Sequence, residues 1–174
     1  MKTKFLILIS ILFFNCSKDE SKSLTNEKAI NLVTGINLKS DIDDAPLRLG
    51  NPNVLVNGKF IMYPNPTPKM VNIFSKENIS DMWIVPANPE KIYQDLNFNN
   101  VLSLNLYSEK IIIANSIISL NGQSSNLLQA NAENLENGYY KVFVKIGEEI
   151  YWDNFYKCDV VDEMQISTIR NFWN

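Results

Sequence analysis

The residues able to do chemistry are few, and the first fact about them is an absence: 174 residues contain no His. That excludes a Ser-His-Asp or Cys-His nucleophile pair, an HExxH zinc site and an imidazole general base. No GxSxG elbow, P-loop or dinucleotide fingerprint occurs either. The acidic clusters are Asp41, Asp43 and Asp44, then Glu148-Glu149, then Asp162-Glu163. An EF-type calcium loop opening at Asp41 needs Asp or Asn at 45, Gly at 46 and Glu at 52, where Ala45, Pro46 and Pro52 stand. Adjacent carboxylates such as Glu148 and Glu149 point to opposite sides of a strand and cannot serve each other as acid and base, so they read as a solvated hairpin tip. The expectation is a protein that is not an enzyme and that holds no metal or diffusible cofactor.

Two Cys offer sulfur chemistry, Cys16 and Cys158. Cys16 closes a segment with two lysines in Met1 to Lys4 and a ten-residue run, Phe5 to Phe14, interrupted only by Ser10. At about 1.5 Å per residue the run reaches roughly 15 Å as a helix, half of a bilayer core of about 30 Å, so it reads as a signal-peptide core and not a span. Phe13-Phe14-Asn15-Cys16 resembles a bacterial lipobox, with Phe13 and Asn15 where a small aliphatic residue and Gly, Ala or Ser are usual. The resemblance implies that residues 1–15 are removed and that Cys16 carries a covalent lipid, diacylglyceryl on sulfur and an acyl chain such as palmitate on the new amine. One acyl chain holds a protein marginally and two or more hold it stably, so a fully acylated Cys16 is a sufficient membrane anchor. Ser17-Lys18-Asp19-Glu20 resembles the short acidic export tag of Bacteroidota surface lipoproteins, which implies the outer face of the outer membrane. Read for its chemistry alone, the tetrapeptide begins a solvated linker.

A thioether on Cys16 precludes a disulfide to Cys158, which then reads as a small buried apolar residue at the end of a strand. Loss of residues 1–15 also changes the charge from −3 to −5, with 14 basic against 19 acidic side chains. An acidic chain with scattered lysines is a poor partner for nucleic acid. No other stretch approaches 18 apolar residues.

The elements that must carry any site are strands. Residues 16–50 read as lipidated Cys and linker, with a short helix from Thr25 to Thr34 stopped by Gly35. Beyond residue 50 the hydrophobic period is two. Val54-Leu55-Val56 and Lys59 to Tyr63 flank Asn57-Gly58, a two-residue hairpin signal. Met70 to Phe74, Met82 to Val85, the alternating Leu102, Leu104 and Leu106, and Lys110 to Ile118 read as further strands, the last ending in a turn at Asn121-Gly122. Tyr140, Val142, Val144 and Ile146 alternate on one strand, Gly147-Glu148 turns the chain, and Ile150, Trp152 and Tyr156 continue on the return. Short strands with turns every eight to twelve residues predict an all-β protein, an antiparallel Ig-like β-sandwich of seven or eight strands over residues 51–158, followed by an extension at 159–174.

Tyr63-Pro64-Asn65-Pro66-Thr67, with Val71-Asn72-Ile73 after it, is similar to the opening of the C-terminal sorting domain of the Bacteroidota type IX secretion system. Leu135-Glu136-Asn137-Gly138-Tyr139-Tyr140, running on to Val144, is similar to its closing strand, and Leu120 to Gln123 to its middle hairpin. The resemblance, to a Por secretion tail-like sandwich, covers roughly residues 60–157 and implies passage through that machinery. Each piece also has a mechanical reading. Two prolines confine Tyr63 to Thr67 to a sheet edge or corner. Gly138 lets the chain turn before a strand whose Tyr140 plugs the core. The sorting domain normally ends its chain behind a cargo, whereas here 17 residues follow Lys157 and no cargo precedes the domain.

Alternation between Tyr139 and Tyr156 places Tyr140, Trp152 and Tyr156 on one face and Tyr139, Phe143, Tyr151 and Phe155 on the other. A sandwich sheet buries one face, so the second set either packs under the C-terminal segment, through Met164, Ile169, Phe172 and Trp173, or forms a platform for a sugar ring or a protein. These readings describe a lipid-anchored, surface-exposed outer-membrane lipoprotein acting as an accessory binding or scaffolding subunit for an outer-membrane complex or surface glycan. The alternative is a divergent sorting-domain protein exported by the type IX machinery.

Overall fold

The computed structural model describes residues 30–52, 58–92 and 107–174. The lipobox-like segment with Cys16, the Ser17 to Glu20 tetrapeptide, the Val54 to Val56 strand and the Leu102 to Leu106 strand lie outside these residues. The described residues form the strands β1 (Leu32–Val33), β2 (Gly35–Leu38), β3 (Leu47–Gly50), β4 (Phe60–Tyr63), β5 (Met70–Pro89), β6 (Ile118–Leu120), β7 (Ser125–Asn131), β8 (Gly138–Ile146) and β9 (Glu149–Lys157) and the helices α1 (Glu109–Asn115) and α2 (Glu163–Trp173). The fold is predominantly β. It is built on one large mixed sheet and the separate β2-β3 hairpin. The mixture arises at β1, which runs parallel to the end of β5.

β5 organises the sheet. Met70 to Phe74 and Met82 to Val85 are not two strands but parts of one 20-residue strand. Its first part pairs with β4 and β7 and its second with β6 and β8, with the ladder shifting register between Phe74 and Ile79. Side chains from both parts meet in one core: Phe60, Met62, Val71 and Ile73 join Met82, Ile84, Val142 and Val144.

Two further clusters cover the opposite face of β5, β8 and β9. Ile30, Tyr107 and Ile112 of α1 pack on Trp83, Phe143 and Trp152. Ile169 and Trp173 of α2 pack with Val33, Ile36, Leu38 and Leu49 over Tyr139 and Tyr156.

Two sequence expectations differ from what is seen. Lys110 to Ile118 is not a strand: Glu109–Asn115 is helical, with the Ser108 side chain accepting from the Ile111 N–H at the N-cap. The cap and the single buried side chain, Ile112, outweigh the β-branched run. The helix expected to reach Thr34 does not: Leu32 and Val33 form β1 and satisfy their backbone along β5.

Gly50 ends β3 at φ +64°, and a Cβ there would lie 2.6 Å from Trp173 Cε3 and 2.7 Å from the Thr34 carbonyl oxygen. Gly50→Ala therefore meets both left-handed strain and overlap. A loss of about 1–3 kcal/mol is expected in urea unfolding. An unchanged midpoint would show that Trp173 yields freely.

Candidate functional site

The seam where β2 and the Tyr63 to Thr67 segment meet β9 is the most polar part of the interior. Both X-Pro bonds of that segment, Tyr63-Pro64 and Asn65-Pro66, are cis. Asn65 is 1% exposed and fully bonded. Its Nδ2 donates to the carbonyls of Asn37 (2.6 Å) and Asn154 (3.0 Å), its Oδ1 accepts from the Tyr156 N–H (3.0 Å), and its backbone exchanges two bonds with Lys39. Thr67 donates its N–H to the Tyr156 carbonyl and accepts from the Cys158 N–H. An Asn at this place thus substitutes for a missing strand along the edge of β9.

The partners of Asn65 in the sorting-like pattern are also held by packing. Pro66 is buried, and Leu135 packs at the margin of the main core. Tyr140 lies in that core, stacked on Phe155 at 5.3 Å, with its hydroxyl donating to the Glu136 carbonyl. Gly138, at positive φ, is the first residue of β8 and pairs with Lys157.

The four aromatics expected on one face do not share it. The two-residue turn at Gly147-Glu148 pairs Ile146 with Glu149, so even positions of β8 oppose odd positions of β9 throughout. Tyr151 and Phe155 consequently join Tyr140 in the main core, while Tyr139 and Phe143 share the other face with Trp152 and Tyr156. The turn residues already implied this parity, because cross-strand partners in a hairpin share a face. Phe143, Tyr151 and Phe155 are buried. Tyr139 makes edge contacts with Tyr156 at 4.8 Å and Trp173 at 5.8 Å. Burial pushes its phenol pKa up to about 12.

Three charged side chains are buried among the described residues, Lys141, Asp153 and Lys157, and none had a signal in the sequence pattern. Lys141 is fully buried, its Nζ 4.3 Å from the Trp152 ring centroid and 3.3 Å from the Tyr107 hydroxyl. Burial pushes its pKa down to about 7, while the two ring faces favour the charged form. Asp153, next to Asn154 in the seam, is held by Asn37 and by the Asn154 N–H. Cys158 is buried and is the free cysteine among the described residues, and burial pushes its thiol pKa up.

Outside the seam, Pro64, Pro66, Leu47, Val161, Ile166 and Arg170 line a groove of about 540 Å³ between the proline segment and α2. Leu47 and Val161 are exposed there, and Val160, Met164 and Phe172 are exposed elsewhere in the C-terminal segment. Asp41, Asp43 and Asp44 lie in the exposed turn after β2, where Asp44 accepts from the Asp41 N–H. Glu148 and Glu149 stand at the β8-β9 turn, Glu149 bonded to the Tyr151 hydroxyl. Asp162 caps α2 by accepting from the Gln165 N–H. Among the described residues no group of three or more Cys, Asp or Glu is placed to hold a metal ion. No helix there is long and apolar enough to cross a membrane.

Comparison with protein-family models, curated proteins and solved structures finds no match to this chain.

Proposed function

We propose that this chain is a lipid-anchored outer-membrane lipoprotein, exposed at the cell surface, whose body works without catalysis as an accessory binding or scaffolding subunit. Its partner is an outer-membrane protein complex or a surface glycan, and its body is an antiparallel Ig-like sandwich elaborated by the β2-β3 hairpin and α2. The observation that carries the binding reading is the groove between the proline segment and α2, whose lining includes the exposed Leu47 (40%) and Val161 (44%) together with Pro64, Pro66 and Ile166. Clustered apolar surface of this kind marks interaction sites in soluble bodies. The address rests on the Lys2 to Phe14 segment, Cys16 and the Ser17 to Glu20 tetrapeptide.

Cells fed a clickable fatty-acid analogue test the anchor. Wild-type protein should carry the label and be digested by protease added outside intact cells, whereas Cys16→Ala should carry none and leave the membrane fraction. Label persisting on Cys16→Ala overturns the anchor, and wild type digested only after lysis overturns the surface location. Pull-down from detergent-solubilised outer membranes tests the binding role. Leu47→Glu with Val161→Glu should lose the retained partner while keeping its melting temperature, and unchanged retention would remove the groove from the reading.

A divergent type IX sorting domain is the second reading, favoured by the contact of the Tyr63 to Thr67 segment with β9 beside β8. Burial of Asn65, Pro66 and Thr67 weighs against it, since a displayed signal would require this edge to open. Cleavage near residue 60, or loss of export without the translocon, would favour it.

A further inference from the structure

Asp153 stands opposite Val142 in the middle of the β8-β9 ladder and is 9% exposed. It has no ion pair with any described cation. The Asn154 N–H lies 2.8 Å from its Oδ1, and Nδ2 of Asn37, on β2, lies 3.4 Å from both carboxyl oxygens. The Oδ1 of that same Asn37 amide is buried and receives no donor among the described residues. An ionised carboxylate only accepts hydrogen bonds. Charged Asp153 would leave a buried charge without a counterion beside a buried acceptor without a donor, and both are costly. A carboxylic acid removes both costs at once. It pairs head to head with a carboxamide, receiving the amide N–H on one oxygen and donating its own O–H to the amide oxygen.

We infer that Asp153 is a neutral acid in the folded protein and donates its proton to Asn37 Oδ1, forming a pH-operated latch between β2 and β9. Asn37 sits within the hairpin whose Ile36, Leu38 and Leu49 pack with Ile169 and Trp173 over Tyr139 and Tyr156. The latch therefore holds the hairpin and α2 together against the aromatic end of the main sheet. Releasing it loosens the cover over Tyr139 and Tyr156 and the α2 wall of the adjoining groove.

Among the described residues no cation is paired with Asp153; Arg48, the cross-strand partner of Asn37 on β3, is exposed and forms no ion pair there. β8 faces Asp153 with Val142 between Tyr140 and Val144, and β9 adds Tyr151, Phe155 and Lys157. The Lys157 ammonium is taken by Asn137, the Cys158 carbonyl and Asp159. Lys39, which follows β2, gives its ammonium to the Asp44 carbonyl. Lys141 faces Tyr107 and Trp152 on the other side of the sheet. Burial pushes the Asp153 pKa from 3.8 up to about 7, against smaller opposing effects of the Asn154 and Asn37 bonds.

Because the acid is weaker in the closed state than when exposed, the latch is fully present below about pH 4. It weakens as pH rises toward 7 and is level above that. Opening should then grow by about tenfold per pH unit between about pH 4 and 7. Hydrogen exchange of the β2 and α2 amides in the full chain, corrected for intrinsic rates, reads this directly. Wild type should show the rise and the plateau, and Asp153→Asn, which keeps the shape but cannot ionise, should show neither. PH-independent opening in wild type, or an equal rise in Asp153→Asn, overturns the latch. Should Asp153→Asn not fold, the Asp153 carboxyl is titrated by carbon NMR in wild type. A midpoint near 7 supports the latch, and one below 5 overturns it.

Discussion

Trp173→Ala should lower the unfolding free energy by about 3–5 kcal/mol, the range for emptying a buried aromatic site. Trp173 is 7% exposed although it is the penultimate residue. It contacts Tyr139 and Phe172 edge-on at 5.8 and 4.9 Å and closes over Gly50. Ile169 is the other buried side chain of α2. Truncation to Ala therefore removes much of what holds the helix on Val33, Ile36 and Leu49. Urea unfolding followed by circular dichroism gives the size. Removal of residues 159–174 should cost more and increase binding of a hydrophobic dye, as Tyr139 and Tyr156 lose their cover. A Trp173→Ala loss below 1 kcal/mol would mean that α2 is a passenger on the sheet.

Asn65→Ala should cost about 3 kcal/mol or more. The substitution strands the buried carbonyl of Asn154 and the half-buried Asn37 carbonyl and Tyr156 N–H. Each orphaned group costs about 1–3 kcal/mol, moderated where water can enter. Asn65→Asp keeps the acceptor for Tyr156 but removes both side-chain donors and adds a buried charge, so it should be no better tolerated. Amide exchange distinguishes this from a diffuse loss: Tyr156 should lose protection before Val142 and Val144 in the middle of β8. Uniform loss across both strands would show that Asn65 does not act as a local bracket. Either result bears on the resemblance of Tyr63 to Thr67 to a sorting motif, since a residue consumed in stitching β2 to β9 has a fold role independent of recognition.

Much of the strand content was legible because the sheet has a period of two. β8 and β9 follow the alternation of Tyr140, Val142, Val144 and Ile146 and the turn at Gly147. Tyr140 sits in the core, where its spacing placed it. The faces of Tyr151 and Phe155 were misassigned because alternation within a strand does not set the parity between two strands; the length of the turn does. α1 was misread because Ile111, Ile112 and Ile113 suit a strand equally well, and the N-cap at Ser108 tips the balance. β5 reads as two strands because the polar residues among Lys76 to Asp81 separate its two apolar runs. That polar stretch falls where the strand changes partners and its ladder shifts register.

By itself the sequence determined that these 174 residues carry no imidazole and that alternating apolar side chains form a β body. Those conclusions depend on residue type and local spacing, which a one-dimensional string carries. The tertiary structure alone decided that Asn37, Asn65, Asp153 and Asn154 form one buried seam, because Asn37 and Asp153 are 116 positions apart. It also decided that α2 covers Tyr139. Whether a polar side chain is solvated or sealed depends on which distant element packs over it, and burial is what turns an ordinary Asp into a weak acid and an ordinary Asn into a bracket.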